Sequence, residues 1–338
     1  MLFLEQKLKE RELGGNLRVL SLENDLVDFA SNDYLGMAKR LSIECSGGMT
    51  GSRLLTGNTG AIEALEHKIA TYHGKEAALI FNCGYMANIG LLSSIAAEGD
   101  TLLYDTEVHA SMHDGFKLSK AACYPFRHQD LEHLEKRLKQ AQGNCFVCIC
   151  SVYSMSGDSA PTEAIEQLCA RYQAHLIVDE AHAVGILGEQ GRGLSKKAWA
   201  QIITFGKGVG IYGAAILGSG LLRHFLINFS RSFIYSTALP PSIYASIDKA
   251  YDLLPKMDAE REHLQLLASY FDSQSHIQIH PVAGNHQAKQ LSYQLMQAGF
   301  DVRSILSPTV KKGGERLRIC LHAYNTPEQV EALCALLS

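Results

Sequence analysis

Two residues define the chemistry this chain could carry. An apolar run, His175–Val178, leads directly into Asp179-Glu180-Ala181-His182, and a second run, Ile202–Phe205, ends in Gly206-Lys207-Gly208. A carboxylate after one strand and a glycine-flanked lysine after a later one suit a pyridoxal phosphate (PLP) enzyme. The lysine amine bonds to the cofactor aldehyde. The aspartate pairs with the pyridine nitrogen and keeps it protonated, so that the ring accepts electrons. Small residues around the lysine leave room for the ring. Taken singly, Lys207 reads as a surface lysine in a turn and Asp179 as a helix cap. The ordered pair, each member following a buried strand, favours the cofactor.

Other residues could complete such a site. Asn82-Cys83-Gly84-Tyr85 follows the run Ala77–Phe81 and opens a helix over Met86–Ala97. A glycine turn at a helix N-terminus offers free N–H groups to a phosphate. His109 follows the strand Thr101–Tyr104 after a short loop, where an imidazole could stack on a pyridine ring; the plainer reading is a polar loop histidine. His182 and Ser154 stand close enough to their strand ends to reach a ring oxygen. Arg316 and Arg318 alternate with Leu317 and Ile319, so both face one side of a strand. An arginine is the natural fork for a substrate carboxylate, but periodicity does not say which of the two serves.

These residues need a scaffold that presents strand ends. Apolar spacing predicts a charged N-terminal helix, a short strand at Val27–Phe29, a helix over Ala61–Tyr72 and a strand at Ala77–Phe81. Then follow strand Thr101–Tyr104, helix Ser111–Ser119, strand Cys145–Val152, helix Thr162–Gln173, and strands at His175–Val178, Ile202–Phe205 and Ala214–Leu217. Short apolar runs alternating with helices imply an α/β fold with a mainly parallel sheet, whose ligands sit beyond the strand carboxyl ends. After Pro240-Pro241 the pattern changes to a long helical stretch from Ser242 to about Phe271. A strand near Ile277–Pro281, a helix over Gln287–Ala298, extended chain near Val302–Leu306, a strand at Arg316–Leu321 and a helix over Pro327–Leu337 follow. This second part reads as a smaller α+β lobe.

Bulk properties exclude several classes. The 338 residues suffice for a large core and a second lobe, and a net charge of −4 leaves no nucleic-acid or membrane-surface footprint. No apolar run is long enough for a membrane span, and the N-terminus lacks a signal-peptide core, so the expected location is cytoplasmic. Nine cysteines are scattered, and Cys145-Phe-Val-Cys-Ile-Cys150 mimics half of a zinc site. The run is too apolar and lacks a second ligand pair, so buried, reduced core cysteines and no metal are expected.

At this point longer motifs come into view. They are Ser31-Asn-Asp-Tyr-Leu-Gly36, Gly51-Ser-Arg-Leu-Leu-Thr-Gly-Asn58, Glu107-Val-His-Ala-Ser111, Ser154-Met-Ser-Gly-Asp-Ser-Ala-Pro161, Val178-Asp-Glu-Ala-His182, Gly188-Glu-Gln-Gly-Arg-Gly193, Thr204-Phe-Gly-Lys-Gly208 and Tyr235-Ser-Thr237. Across nearly its whole length the chain resembles the α-oxoamine synthases, fold-type I PLP enzymes. Ser307-Pro-Thr-Val310 and Arg316-Leu-Arg-Ile-Cys-Leu-His-Ala323 look most like the biotin-pathway branch. The resemblance implies that Lys207 carries the cofactor, Asp179 meets the ring nitrogen, His109 stacks on the ring, and Ser154 and His182 lie near its oxygen. It implies phosphate contacts from Gly84, Tyr85 and Thr204. Ser236 and Thr237 would reach the phosphate of a neighbouring subunit, giving a homodimer with shared sites. Arg318 would hold the amino-acid carboxylate, with Arg18, Asn32 and Thr309 as further substrate contacts. The implied domains are an N-terminal segment 1–45 packing with the small domain, a PLP domain 46–240 and a small domain 241–338.

The implied reaction is a decarboxylating condensation of L-alanine with a pimeloyl thioester of coenzyme A or an acyl carrier protein. Glycine with acetyl-CoA is the alternative within the family. A catalytically inactive regulatory or scaffold homologue is the alternative outside it, and Lys207 in its whole setting argues against that. The chain departs from the family in short connections between Gly193 and Gln201 and before Ile277, and in Lys311-Lys312 where a proline is common. These trims bear on acyl-chain recognition more than on the cofactor.

Overall fold

The structure is a computed structural model that describes residues 2–20, 22, 25–43 and 47–337. The chain begins with helix α1 (Leu2–Leu13), strand β1 (Val27–Asp28) and helix α2 (Met37–Arg40). It continues through α3 (Gly60–Tyr72), β2 (Ala77–Phe81), α4 (Gly84–Leu92), β3 (Thr101–Asp105), α5 (Ala110–Leu118), β4 (Ala122–Phe126), α6 (Leu131–Leu138) and β5 (Cys145–Cys150). Next are α7 (Thr162–Arg171), β6 (His175–Asp179), β7 (Ala200–Thr204), β8 (Ala214–Gly218), α8 (Gly220–Phe229), α9 (Arg231–Ile234) and α10 (Pro241–Leu253). The last elements are α11 (Asp258–Ala268), β9 (Ile277–Pro281), α12 (Asn285–Gln297), β10 (Phe300–Asp301), β11 (Arg303–Ile305), β12 (Arg316–Cys320) and α13 (Pro327–Leu337).

Two compact units result. The larger holds Leu35–Tyr153 and Asp158–Asp258; the smaller holds Met1–Tyr34, Ser154–Gly157 and Ala259–Ser338. The dividing line thus runs at Asp258, not at Pro240, because α10 packs on α3 within the larger unit.

The larger unit is built on a seven-stranded sheet in the order β2-β8-β7-β6-β5-β3-β4. From β7 through β6, β5 and β3 to β4 every pairing is parallel, whereas β8 runs antiparallel to both β7 and β2. All six residues of β5 are buried, as expected of a strand covered on both faces. Its cysteines are therefore core: burial raises the Cys148 and Cys150 thiols well above their ordinary range. Cys83, Cys123 and Cys334 are only half-buried, and Cys45 lies outside the described residues. β4 and α6 are elements the sequence pattern did not reveal. Ala-Cys-Tyr-Pro-Phe alternates exposed and half-buried positions on the sheet edge, where a proline is tolerated.

The expected long helix after Ser242 is two helices, α10 and α11. Pro255 sits in the turn of 3-10 helix Leu254–Lys256 between them, since it cannot continue the hydrogen-bond ladder. In the smaller unit β12 pairs antiparallel with β11 and β9, and β1 pairs parallel with β10. No helix among the described residues is long and apolar enough to cross a membrane.

Candidate active site

Three parallel strands of the larger unit end in polar residues. β6 ends at Asp179, β7 at Thr204 and β3 at Asp105. Asp179 is buried; its Oδ1 accepts from the Ala181 N–H at 3.0 Å and its Oδ2 accepts from Asn88 Nδ2 at 3.0 Å. His182 follows in the turn after Asp179, and its Nε2 lies 2.9 Å from Lys207 Nζ. Glu180, between them, is spent on structure: it accepts from the Leu194 and Ser195 N–H groups, and Gly193 is bare because a Cβ there would sit 2.9 Å from the Glu180 carboxylate. The two glycines beside Lys207 differ. A Cβ at Gly206 would make only ordinary contact, 3.8 Å from Thr204 Oγ1, but one at Gly208 would meet Val184 O at 2.5 Å. Only the first leaves room for a ring; the second allows close packing of the lysine loop.

His109 caps α5, and its Nδ1 accepts from the Ser111 N–H at 3.3 Å and lies 2.7 Å from Ser111 Oγ. Lost solvation holds its pKa below the ordinary value against the opposing pull of Asp179, with Lys207 also pushing it down. Gly84 is the first residue of α4, two positions earlier than the spacing predicts, and no side chain among the described residues caps that helix end. A Cβ at Gly84 would lie 3.5 Å from Thr204 Cβ, so the open helix N-terminus and the Thr204 hydroxyl share one wall. Tyr85 turns its hydroxyl to Asp114, and its ring meets that of His109 edge-on at 6.4 Å. Ser236 is half-buried and Thr237 exposed, and the Thr237 carbonyl accepts from Asn82 Nδ2 at 3.1 Å in the same chain.

The smaller unit gathers a second group. Arg318 on β12 is buried; its Nε donates to Ser154 O at 2.7 Å and its Nη2 donates to Asn32 Oδ1 at 2.9 Å and to Tyr34 OH at 3.2 Å. Arg316, on the same strand face, donates to the Met155 carbonyl and stays half-buried. Periodicity placed both arginines correctly but not their difference in burial. Arg18 and Thr309 line one cleft of about 240 Å³ with Asn16 and Ser307, and Arg318 is not part of it. Sequence reasoning missed Asn88 and Tyr34. Asn88 had a signal, as the lone polar side chain deep in the apolar helix Gly-Tyr-Met-Ala-Asn-Ile-Gly-Leu-Leu.

Residues 24–337 match the family Aminotransferase class I and II. An 8-amino-7-oxononanoate synthase of Lysinibacillus sphaericus is 34% identical over 97% of this chain and 92% of its own length. A solved structure described as SPT with PLP superposes with a TM-score of 0.85 at 26% identity, covering 93% of this chain and 87% of that one. 8-Amino-7-oxononanoate synthase from Francisella tularensis superposes with a TM-score of 0.80 at 26% identity, over 93% and 97% of the two chains. The chain belongs to the class I and II aminotransferase family and has the fold-type I architecture of PLP enzymes. It is a PLP-dependent transferase, and its residues fit that cofactor. An uncapped helix end beside the Thr204 hydroxyl suits a phosphate, a buried carboxylate at the end of β6 suits a pyridine nitrogen, and Lys207 beside the uncrowded Gly206 suits the aldehyde.

Proposed function

We propose that the chain condenses L-alanine with a pimeloyl thioester to give 8-amino-7-oxononanoate, CO2 and the free carrier thiol, the biotin-pathway step its named relatives point to. The observation that carries the chemistry is the 2.9 Å contact of Lys207 Nζ with His182 Nε2, in the turn that begins at Asp179. When bound, PLP supplies an aldehyde for an amine and a ring that accepts electrons from the amino-acid Cα. Lys207 Nζ removes the alanine α-proton, and His182 Nε2 holds that amine in place by hydrogen bonding. Asp179, braced by Asn88 and Ala181, would hold the ring nitrogen without reorganising, and His109 would stack on the ring.

Gly84, Tyr85 and Thr204 are assigned to the phosphate, and Ser154 and His182 to the ring oxygen. Arg318 and Asn32 are assigned to the alanine carboxylate. Orienting that group serves both deprotonation and the later loss of CO2. Arg18 and Thr309 share a cleft that suits the acyl partner, coenzyme A or an acyl carrier protein. Ser236 and Thr237 are assigned to the phosphate of a second copy, which makes the working unit a homodimer. Buried thiols such as Cys148 and Cys150 suit the reducing cytoplasm, where we place the enzyme.

The test is a matrix of amino acids against acyl thioesters, read by thiol release. Alanine with the pimeloyl thioester should be fastest. Glycine with acetyl-CoA, or serine with a long-chain acyl thioester, running faster would move the chain to another branch of the same chemistry. No thiol release with any pair would remove the activity.

A further inference from the structure

Asn88 and Ser111 form a buried chain between the two ring-binding candidates of the larger unit. Asn88 is 2% exposed and Ser111 fully buried. The carboxylate of Asp179 offers only acceptors, so the Asn88 amide must turn its NH2 towards it. The same Nδ2 donates to Ser111 Oγ at 3.0 Å, so both amide hydrogens are used. Ser111 Oγ then accepts from Asn88 and has its own hydrogen to give. His109 Nδ1 stands 2.7 Å away and already accepts from the Ser111 N–H. Nδ1 is therefore an acceptor, and the neutral ring carries its proton on Nε2. Protonation at Nδ1 would set its hydrogen against the Ser111 N–H, donor against donor, and would take away the acceptor of the Ser111 hydroxyl.

Two further observations favour function over packing as the reason for Asn88. Its Oδ1 is buried with no hydrogen-bond partner among the described residues, an arrangement that a leucine would avoid. And α5 is glycine at position 115, where a Cβ would sit 2.9 Å from Leu92 Cβ and 3.3 Å from the Asn88 carbonyl, so α4 and α5 approach closely enough for Asn88 to reach Ser111.

We propose that Asn88 is a positioning residue that braces Asp179 and, through Ser111, locks His109 as the neutral Nε2–H tautomer. The assignment rests on Asp179 and His109 being the ring contacts of the proposed function. The charged groups that bear on the His109 ring are Asp179, Lys207 and His113, and none of these supplies the tautomer choice that Ser111 does.

The experiment uses the full chain with 15N-labelled histidine rings, with and without PLP, as wild type, Asn88→Leu and Ser111→Ala. Wild type should show a single Nε2–H tautomer at His109 once neutral, before any cofactor is added. Both variants should show a mixture with Nδ1–H. With PLP bound, kcat should fall roughly tenfold while the alanine KM stays within about twofold, the pattern of lost orientation at the reacting centre. Asn88→Leu also deprives the buried Asp179 Oδ2 and Ser111 Oγ of their donor, so its unfolding midpoint should fall, whereas Ser111→Ala keeps the Asp179 contact and separates the tautomer change from that loss. An unchanged tautomer in both variants overturns the inference, and Ser111→Ala alone decides it should Asn88→Leu fail to fold. Wild type that takes up no PLP on Lys207 would overturn the functional reading instead and leave the tautomer result standing.

Discussion

A guanidinium held at two of its nitrogens has its plane set before a carboxylate arrives, and Arg318 is held in this way by the Ser154 carbonyl, Asn32 and Tyr34. Arg318→Lys keeps the charge and loses the fixed plane that aims the remaining Nη1 at a carboxylate. A charge-assisted hydrogen bond contributes about 1.5–3 kcal/mol, so the alanine KM should rise roughly 10- to 100-fold. The PLP absorbance of the resting enzyme should not change, since the cofactor is assigned other contacts. A KM within twofold of wild type would transfer the carboxylate role away from Arg318. Lys207 calls for a different test. Borohydride reduction of the PLP-loaded protein followed by peptide mapping should place the label on the Lys207 peptide, and a label on Lys75, Lys68 or any other lysine would remove the central assignment.

The turn Ser154–Gly157 shows how much of the site depends on elements. Gly157 has φ +76°, and a Cβ on it would lie 2.0 Å from Ile277 O. Gly157→Ala therefore meets both backbone strain and a collision, and should destabilise by about 2–4 kcal/mol in urea titration. Because the Ser154 carbonyl holds Arg318 Nε, the same variant should raise the alanine KM. Gly99→Ala is the control: its φ is +93° with nothing within 4 Å, so only the strain of about 1–2 kcal/mol remains. Equal losses at the two positions would show that the Ile277 contact is immaterial. The strands that carry Asp179 and Lys207 were legible because buried parallel strands are continuous apolar runs. Their carboxyl ends pointed to the ligand side without further information. β4 was not legible, since an edge strand alternates weakly and contains Pro125. The break after Leu253 was masked by helical spacing that resumes at Asp258. The distinction between Arg316 and Arg318 was beyond periodicity, because it depends on which carbonyl of a distant turn each one reaches.

At the scale of the whole molecule, composite sites can be tested by mixing chains. If Thr237 serves the neighbour's phosphate, a Lys207→Ala chain paired with a Thr237→Ala chain places both lesions in one site and leaves the other intact, so mixtures should exceed the average of the two homodimers. Activity equal to that average would show that each chain completes its own site. Stability against pH is a second whole-molecule property, and two histidines pull it in opposite directions. His73 is buried between the Arg192 carbonyl and the Tyr251 hydroxyl, and desolvation, only partly opposed by that carbonyl, lowers its pKa from 6.5 to about 4. The unfolded chain then binds the extra proton first, so this contribution is present above pH 6.5 and is lost as pH falls towards 4. His128 lies between Asp105 and Asp158 at 2.9 and 2.7 Å; desolvation opposes its charge, but the two carboxylates outweigh it and raise the pKa to about 10. Its contribution is complete below pH 6.5 and is lost as pH rises through 10. The urea midpoint should therefore peak near pH 6.5, with each limb limited to about 1.4 kcal/mol per pH unit for one proton. His128→Gln should lower the peak and flatten the alkaline limb alone, and His73→Phe should reduce the slope of the acid limb between pH 4 and 6.5 alone, the remainder coming from His109 and His322, whose pKa values desolvation also lowers. An alkaline limb that keeps its slope in His128→Gln would mean that the Asp105–His128–Asp158 bridge does not govern stability there.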